Sequence, residues 1–303
     1  MTTKGIAPAI VIAFLAAAVL IVTEGVIITN YLVRTENLVR AIREQEIIRG
    51  INIVEFSKRG LAQAVLYSFN QASYDISKRG GFFDLSSSSS DSSVPSLNCI
   101  PYWKTFSTSN TPDFQSELST NILKIFNSYG TGLDVSVPQY TKIDFNQDKS
   151  VMTLDANGKL RYDKKDFFTI RDNANFVQKV DLKILKIFDV AKEVANELDS
   201  SVSSSNSYSN ALDAAISTSN RVGQKYFADG IEVVVSPSEN LGSSEENFAV
   251  RILVVIKDKG EKKLVYDFEE KSLKMRNTEF RFYMLLGKEQ VQPEVNNCAK
   301  IKY

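Results

Sequence analysis

The residue types that do most protein chemistry are scarce in this chain of 303 residues. It has no histidine. Histidine is the usual general base near neutral pH and the commonest metal ligand. Ser-His-Asp and Cys-His nucleophile arrangements are therefore excluded, as are HExxH helices and His-containing zinc sites. There are two cysteines, Cys99 and Cys298, too few for a Cys-rich zinc centre. An even pair, with one member mid-chain and the other near the end, suits a single disulfide in a compartment outside the reducing cytoplasm. Two unpaired thiols are the alternative.

The carboxylates offer little more. Asp163/Asp166 and Glu269/Glu270 are close in sequence but lack any catalytic context, and read as turns and strand ends. Asp144-Phe145-Asn146-Gln147-Asp148 alternates oxygen donors as a calcium loop does, yet the glycine and final glutamate of an EF-hand are missing. A turn is the simpler reading. No phosphate-binding glycine loop occurs. Trp103, the single tryptophan, reads as core. No catalytic residue, metal site or cofactor is expected, and the protein is not expected to be an enzyme.

The elements that would position any function are more telling. Lys and Arg number 36, as do Asp and Glu, so no basic excess favours nucleic acid. The apolar residues are concentrated at the start. After a short polar segment, residues 1–5, the run from Ile6 to Thr23 carries no charge. Beyond Glu24 and Gly25 it stays apolar to Val33. About 20 such residues cross a bilayer core, so residues 6–33 are expected to form one transmembrane helix in contact with membrane lipid. Glu24 would cost about 2.5–3.5 kcal/mol at the bilayer centre. It lies about 27 Å of helix beyond Ile6, which makes it an interfacial carboxylate; an intramembrane partner site is the alternative.

Three readings of this start compete: a secretory signal cleaved near Ala16-Ala17-Ala18, an uncleaved anchor, and a prepilin-type signal. The apolar run outlasts the first. Lys4-Gly5-Ile6-Ala7-Pro8, leading directly into the apolar helix, resembles the N-terminus of archaeal type IV pilin-like proteins. The resemblance spans about the first thirty residues. It implies that a prepilin peptidase cuts between Gly5 and Ile6 and that the apolar helix is retained. It also implies assembly with other pilin-like subunits. Bacterial type IV pilins carry glutamate at the fifth mature position, here Ile10; many archaeal pilin-like proteins lack it too. No Asn-x-Ser/Thr sequon is present, which points away from a major, glycosylated filament subunit.

Orientation rests on opposed signals. Lys4 favours the N-terminus inside, whereas Arg34, Arg40, Arg43 and Arg49 follow the span. The cysteines and the pilin-like start place the large domain outside.

Residues 34–81 are expected to continue as a helical stalk, with a break or kink marked by Gly50 and Asn52. Leu61, Val65, Phe69, Ala72 and Ile76 form one apolar face, and Arg79-Gly80-Gly81 stops the helix. Residues 82–303 are expected to form an α+β extracytoplasmic domain. The serine run from Ser86 to Ser93 reads as an exposed loop. Thr111-Pro112 reads as the start of a helix reaching Gly130. Val135–Phe145 reads as a strand, Asn157-Gly158 as a hairpin turn, and Phe167–Ile170 as another strand. A switch from strand to helix is expected near Ile184. Ser200–Ser209 would link that helix to one over Tyr208–Phe227. Four C-terminal strands, near 231–235, 248–256, 263–268 and 279–286, would make an antiparallel meander. The reading that emerges is a membrane-anchored surface protein, a minor type IV pilin-like subunit. The alternative is a single-pass envelope protein whose ectodomain binds a partner or matrix and forms no filament.

Overall fold

The computed structural model describes residues 6–83, 85, 94–106, 108–129, 133–165, 167–260, 262–268 and 270–294, with side chains from Ala16 onward. The protein is α+β, with a long apolar N-terminal helix and a sheet-rich head.

Helix α1 runs from Ile6 to Lys78 without interruption, about 110 Å at 1.5 Å per residue. No proline falls between Pro8 and Pro95 to break it. The expected break at Gly50 does not occur; that glycine serves a contact described below. The helix ends where the glycines predict. Gly81 N donates to Ile76 O at 2.9 Å and Gly80 N to Ser77 O at 3.2 Å, the paired bonds of a Schellman cap. Gly80 has φ +56 and Gly81 φ +93, so both accept a backbone that a side chain would strain.

The head begins with the short strands β1 (Ser96–Leu97) and β2 (Ile100–Lys104). Helix α2 (Phe114–Tyr129) starts two residues after the expected Thr111-Pro112. Asp113 caps it, with its backbone oxygen accepting from Glu117 N at 3.0 Å. Then come β3 (Tyr140–Asn146), β4 (Val151–Ala156), β5 (Lys159–Lys164), β6 (Phe168–Asn173) and β7 (Phe176–Lys179). Strand β3 starts later than Val135, beyond Pro138, which lacks a ladder donor.

Two helices follow, α3 (Lys183–Ser203) and α4 (Tyr208–Tyr226). The switch near Ile184 holds; the serine link is shorter than the expected Ser200–Ser209, since Ser200–Ser203 belong to α3 and Tyr208 and Ser209 to α4, leaving residues 204–207 between them. Ser207 caps α4 by accepting from Asn210 N. The chain closes with β8 (Ile231–Pro237), β9 (Ala249–Asp258), β10 (Lys263–Asp267), β11 (Ser272–Arg276) and β12 (Glu279–Gly287).

The main sheet has the order β1-β2-β12-β9-β8. Strand β9 is paired on both sides, as its apolar Arg251–Ile256 run predicts. Two features depart from a meander. Strands β10 and β11 form their own ribbon, and β2 joins β12 in parallel. The sheet's inner face carries Ile252, Val254, Ile256, Phe280 and Phe282, all fully buried. Trp103 stacks on Phe282 with ring centres 4.1 Å apart, and its Nε1 donates to Gly80 O at 2.7 Å. Tryptophan thus ties the α1 cap to the core. Val54, Leu61, Val65, Phe69, Ala72 and Ile76 enter the same core, so the outer half of the stalk packs into the head.

Asn157-Gly158 is not a hairpin. Strand β4 pairs with β3 and β7, whereas β5 pairs with β6. The dipeptide passes the chain between two sheets, with Gly158 at φ +139.

Candidate functional site

The feature that calls for a function is the first half of α1. Every residue from Ala16 to Gln45 is exposed. The exposed side chains include Val19, Ile21, Ile27, Tyr31 and Leu32, and further along Leu38, Val39, Ile42, Ile47 and Ile48. Burying such surface stabilises by about 25 cal/mol per Å², so this helix has a strong drive toward a lipid or protein environment. It is long and apolar enough to cross a membrane.

Its threonine hydroxyls are already satisfied. Thr23 Oγ1 donates to Val19 O at 2.8 Å, Thr29 to Gly25 O at 2.7 Å and Thr35 to Tyr31 O at 2.6 Å. Such back-bonding to the preceding turn lets hydroxyls sit in apolar surroundings without an orphaned donor. Glu24 is exposed on this helix, about 39 Å of helix before Gly50. Ile6 is the first helical residue. Lys4 and Gly5 lie outside the described residues.

Gly50 is the first buried residue of α1 among those whose burial is described. A Cβ there would lie 2.8 Å from Ile170 Cδ1, 2.8 Å from Phe168 Cε2 and 3.0 Å from Tyr162 Cε1. The β5–β6 ribbon therefore lies directly on the helix backbone. Charges extend the brace in both directions. Lys164 pairs with Glu46 at 3.1 Å and Lys58 with Asp172 at 2.8 Å, and the Arg43 guanidinium sits 5.8 Å from the Phe167 ring centre. The Lys58 ammonium, followed by the Asn173 backbone N–H, holds the Asp172 carboxyl below its ordinary range. This brace was missed in the sequence. Its one signal was a glycine within an otherwise helical run, facing a strand pair with alternating aromatics.

At the other end of α1 lies a cleft of about 990 Å³ between the helix terminus, the β10–β11 ribbon and the edge of the main sheet. Gln71, just before the cleft-lining Tyr74 and Asp75, ties α1 to β10. Its side-chain amide donates to Tyr266 O at 3.0 Å and accepts from Tyr266 N at 2.7 Å, completing the β10 edge as a strand would. Its charges are largely cross-paired: Lys259 with Glu232 at 3.3 Å, and Arg276 with Asp267 at 3.2 Å and with Glu270. Burial pushes the Tyr74 phenol up. Cys99 is half-buried on this cleft; Cys298 lies outside the described residues, so their pairing does not enter the geometry. No disulfide forms among the described residues.

The carboxylate candidates are not brought together. Asp163 pairs with Arg161 at 2.7 Å and accepts from Thr169; Asp166 and Glu269 lie outside the described residues. Asp144 pairs with Lys142, and Asn146 Oδ1 accepts from Lys149 N at 3.1 Å; Asp144–Asn146 close strand β3 and only Gln147 and Asp148 belong to the turn that follows. Among the described residues no group of three or more His, Cys, Asp or Glu is placed to hold a metal.

Comparison with protein-family models, with curated proteins and with solved structures returns no match to this chain. Its functional reading therefore rests on its own geometry.

Proposed function

We propose that the protein is a non-enzymatic, single-pass membrane protein that assembles through α1 as a type IV pilin-like, minor subunit, displaying its head outside the cell. One observation carries this reading: the exposed apolar helix is longer than a membrane needs. A bilayer core is about 30 Å thick and takes about 20 residues. From Ile6 to Gly50 the helix extends about 66 Å. With Glu24 at the outer interface, Leu38, Val39, Ile42, Ile47 and Ile48 lie beyond the lipid. A plain anchor leaves them in water, whereas packing against the same helix of neighbouring copies buries them. The resemblance of Lys4-Gly5-Ile6 to a prepilin processing site supports the same reading, with a prepilin peptidase and other pilin-like subunits as the partners.

The test compares the full chain produced with and without a prepilin peptidase, alongside a Gly5→Val variant. The reading expects large, detergent-stable or filamentous assemblies only when processing occurs. Membrane-bound monomers of equal abundance in all three cases would instead establish a single-pass envelope protein without a filament role.

A further inference from the structure

The β10–β11 ribbon has one edge closed and one edge open. The closed edge shows which backbone groups the open one presents. Gln71 takes both polar groups of Tyr266, donating to its O at 3.0 Å and accepting from its N at 2.7 Å. The N–H and C=O of Tyr266 therefore face α1, away from β11. Tyr266 stands opposite Leu273, and Leu264 opposite Met275. In an antiparallel pair, opposed residues either exchange both backbone bonds or turn both groups outward. Leu273 and, two residues on, Met275 thus turn their N–H and C=O groups to the free edge of β11. None of these four groups has a backbone partner among the described residues.

The side chains at this edge sort by face. Leu264, Leu273 and Met275 are exposed on one side of the ribbon, with half-buried Tyr266 among them. Unpaired backbone groups beside an exposed apolar face are an arrangement that proteins ordinarily blunt with charge or proline. Lys274, the charge at the centre of the edge, alternates to the other face and pairs there with Glu270. Cations prevail on that face and at both ends of the ribbon. Lys274 and Arg276 share Glu270, and Arg276 also reaches Asp267 at 3.2 Å. Lys262 and Lys271, exposed at the two ends, form no ion pair among the described residues. The cleft of about 990 Å³ opens along this edge, where Met275, Arg276 and Asn277 line it. A further strand at the usual spacing of about 4.8 Å has room there.

The charges select the occupant. A second copy, in the register that pairs all four backbone groups, would set Lys274 against its own counterpart. Like charges directly opposite destabilise a strand pair. We propose that β11 takes up an extended acidic segment of another protein by strand addition. The incoming backbone bonds to Leu273 and Met275. Its alternate apolar residues continue the exposed face, and its carboxylates meet Lys274 and the cations at the two ends. The edge acts in this way whether or not α1 assembles with other copies.

The full chain in detergent is mixed with a fluorescent, end-capped peptide of alternating valine and glutamate, or with the same peptide carrying lysine for glutamate. The glutamate peptide should bind about tenfold more tightly or better, and should slow amide exchange over 272–276. Met275→Pro deletes one outward N–H and leaves every β10–β11 bond in place. It should weaken binding about tenfold. Lys274→Glu tests the charge without touching the backbone, and should shift the preference toward the lysine peptide. Equal binding of the two peptides, no added protection over 272–276, or an unchanged preference in Lys274→Glu would overturn the proposal. So would protection that grows with protein concentration and needs no peptide, which makes a second copy the occupant.

Discussion

Gly50 separates two accounts of a glycine in a long helix. If it is a hinge, alanine should rigidify the helix and gain its usual advantage of about 1 kcal/mol. If it is a point of close approach, the new methyl group must displace its neighbours. A Cβ would meet two carbons at 2.8 Å and a third at 3.0 Å, well inside the optimal 3.5–4.0 Å. Overpacking of this kind costs about 1–3 kcal/mol. All three atoms are ends of half-buried side chains on a two-stranded ribbon, so relief by rotation keeps Gly50→Ala near the lower figure. The expected net effect is a loss of about 0–2 kcal/mol. Gly50→Leu should lift the ribbon. Gly60, on the same helix, has nothing within 4 Å of an added Cβ, so Gly60→Ala should gain stability by about 1 kcal/mol. Urea unfolding of the full chain in detergent reads the difference, and hydrogen exchange over 159–173 reads the ribbon. Equal gains at both glycines, with unchanged exchange in Gly50→Leu, would refute the contact.

Three further outcomes are expected. Trp103→Phe orphans the buried Gly80 carbonyl that the indole serves at 2.7 Å. It should cost about 1–3 kcal/mol in urea unfolding monitored by circular dichroism. Gly158→Ala forces a side chain into φ +139 and should cost about 1–3 kcal/mol by the same assay. Lys58→Met removes the main group that holds the Asp172 carboxyl below 3.8. A depressed carboxylate contributes stability that is complete above 3.8 and is lost as pH falls through its folded value. NMR titration should therefore show Asp172 moving up toward 3.8 in the variant, with a weaker acid dependence of ribbon protection.

What could be read from the sequence followed from local physics. The apolar start of α1, its buried face at Leu61, Val65, Phe69, Ala72 and Ile76, and its glycine stop each follow from helix periodicity and capping. The switch into α3 was equally local, because alternating residues give way to a three-and-four spacing at Ile184. What was missed depended on partners distant in sequence. Asn157-Gly158 has the composition of a hairpin turn, but composition specifies a bend and not which strands pair across it. The neighbours of β4 are β3 and β7, a choice made by burial of Met152, Leu154 and Phe176. The parallel pairing of β2 with β12 joins segments nearly two hundred residues apart and leaves no local trace. The sequence marks Gly50 only as a possible bend, since its tight contact is supplied by residues more than a hundred positions away. The resemblance of Lys4-Gly5-Ile6 to a processing signal is a reading of the sequence alone, because Lys4 and Gly5 lie outside the described residues.

The mature N-terminus tests the central claim most directly. Intact mass and N-terminal sequencing of the protein extracted from membranes of its own host should show a chain beginning at Ile6, with the whole of α1 retained. A chain still beginning at Met1, or one beginning just after Ala16-Ala17-Ala18, would contradict a processed assembly helix.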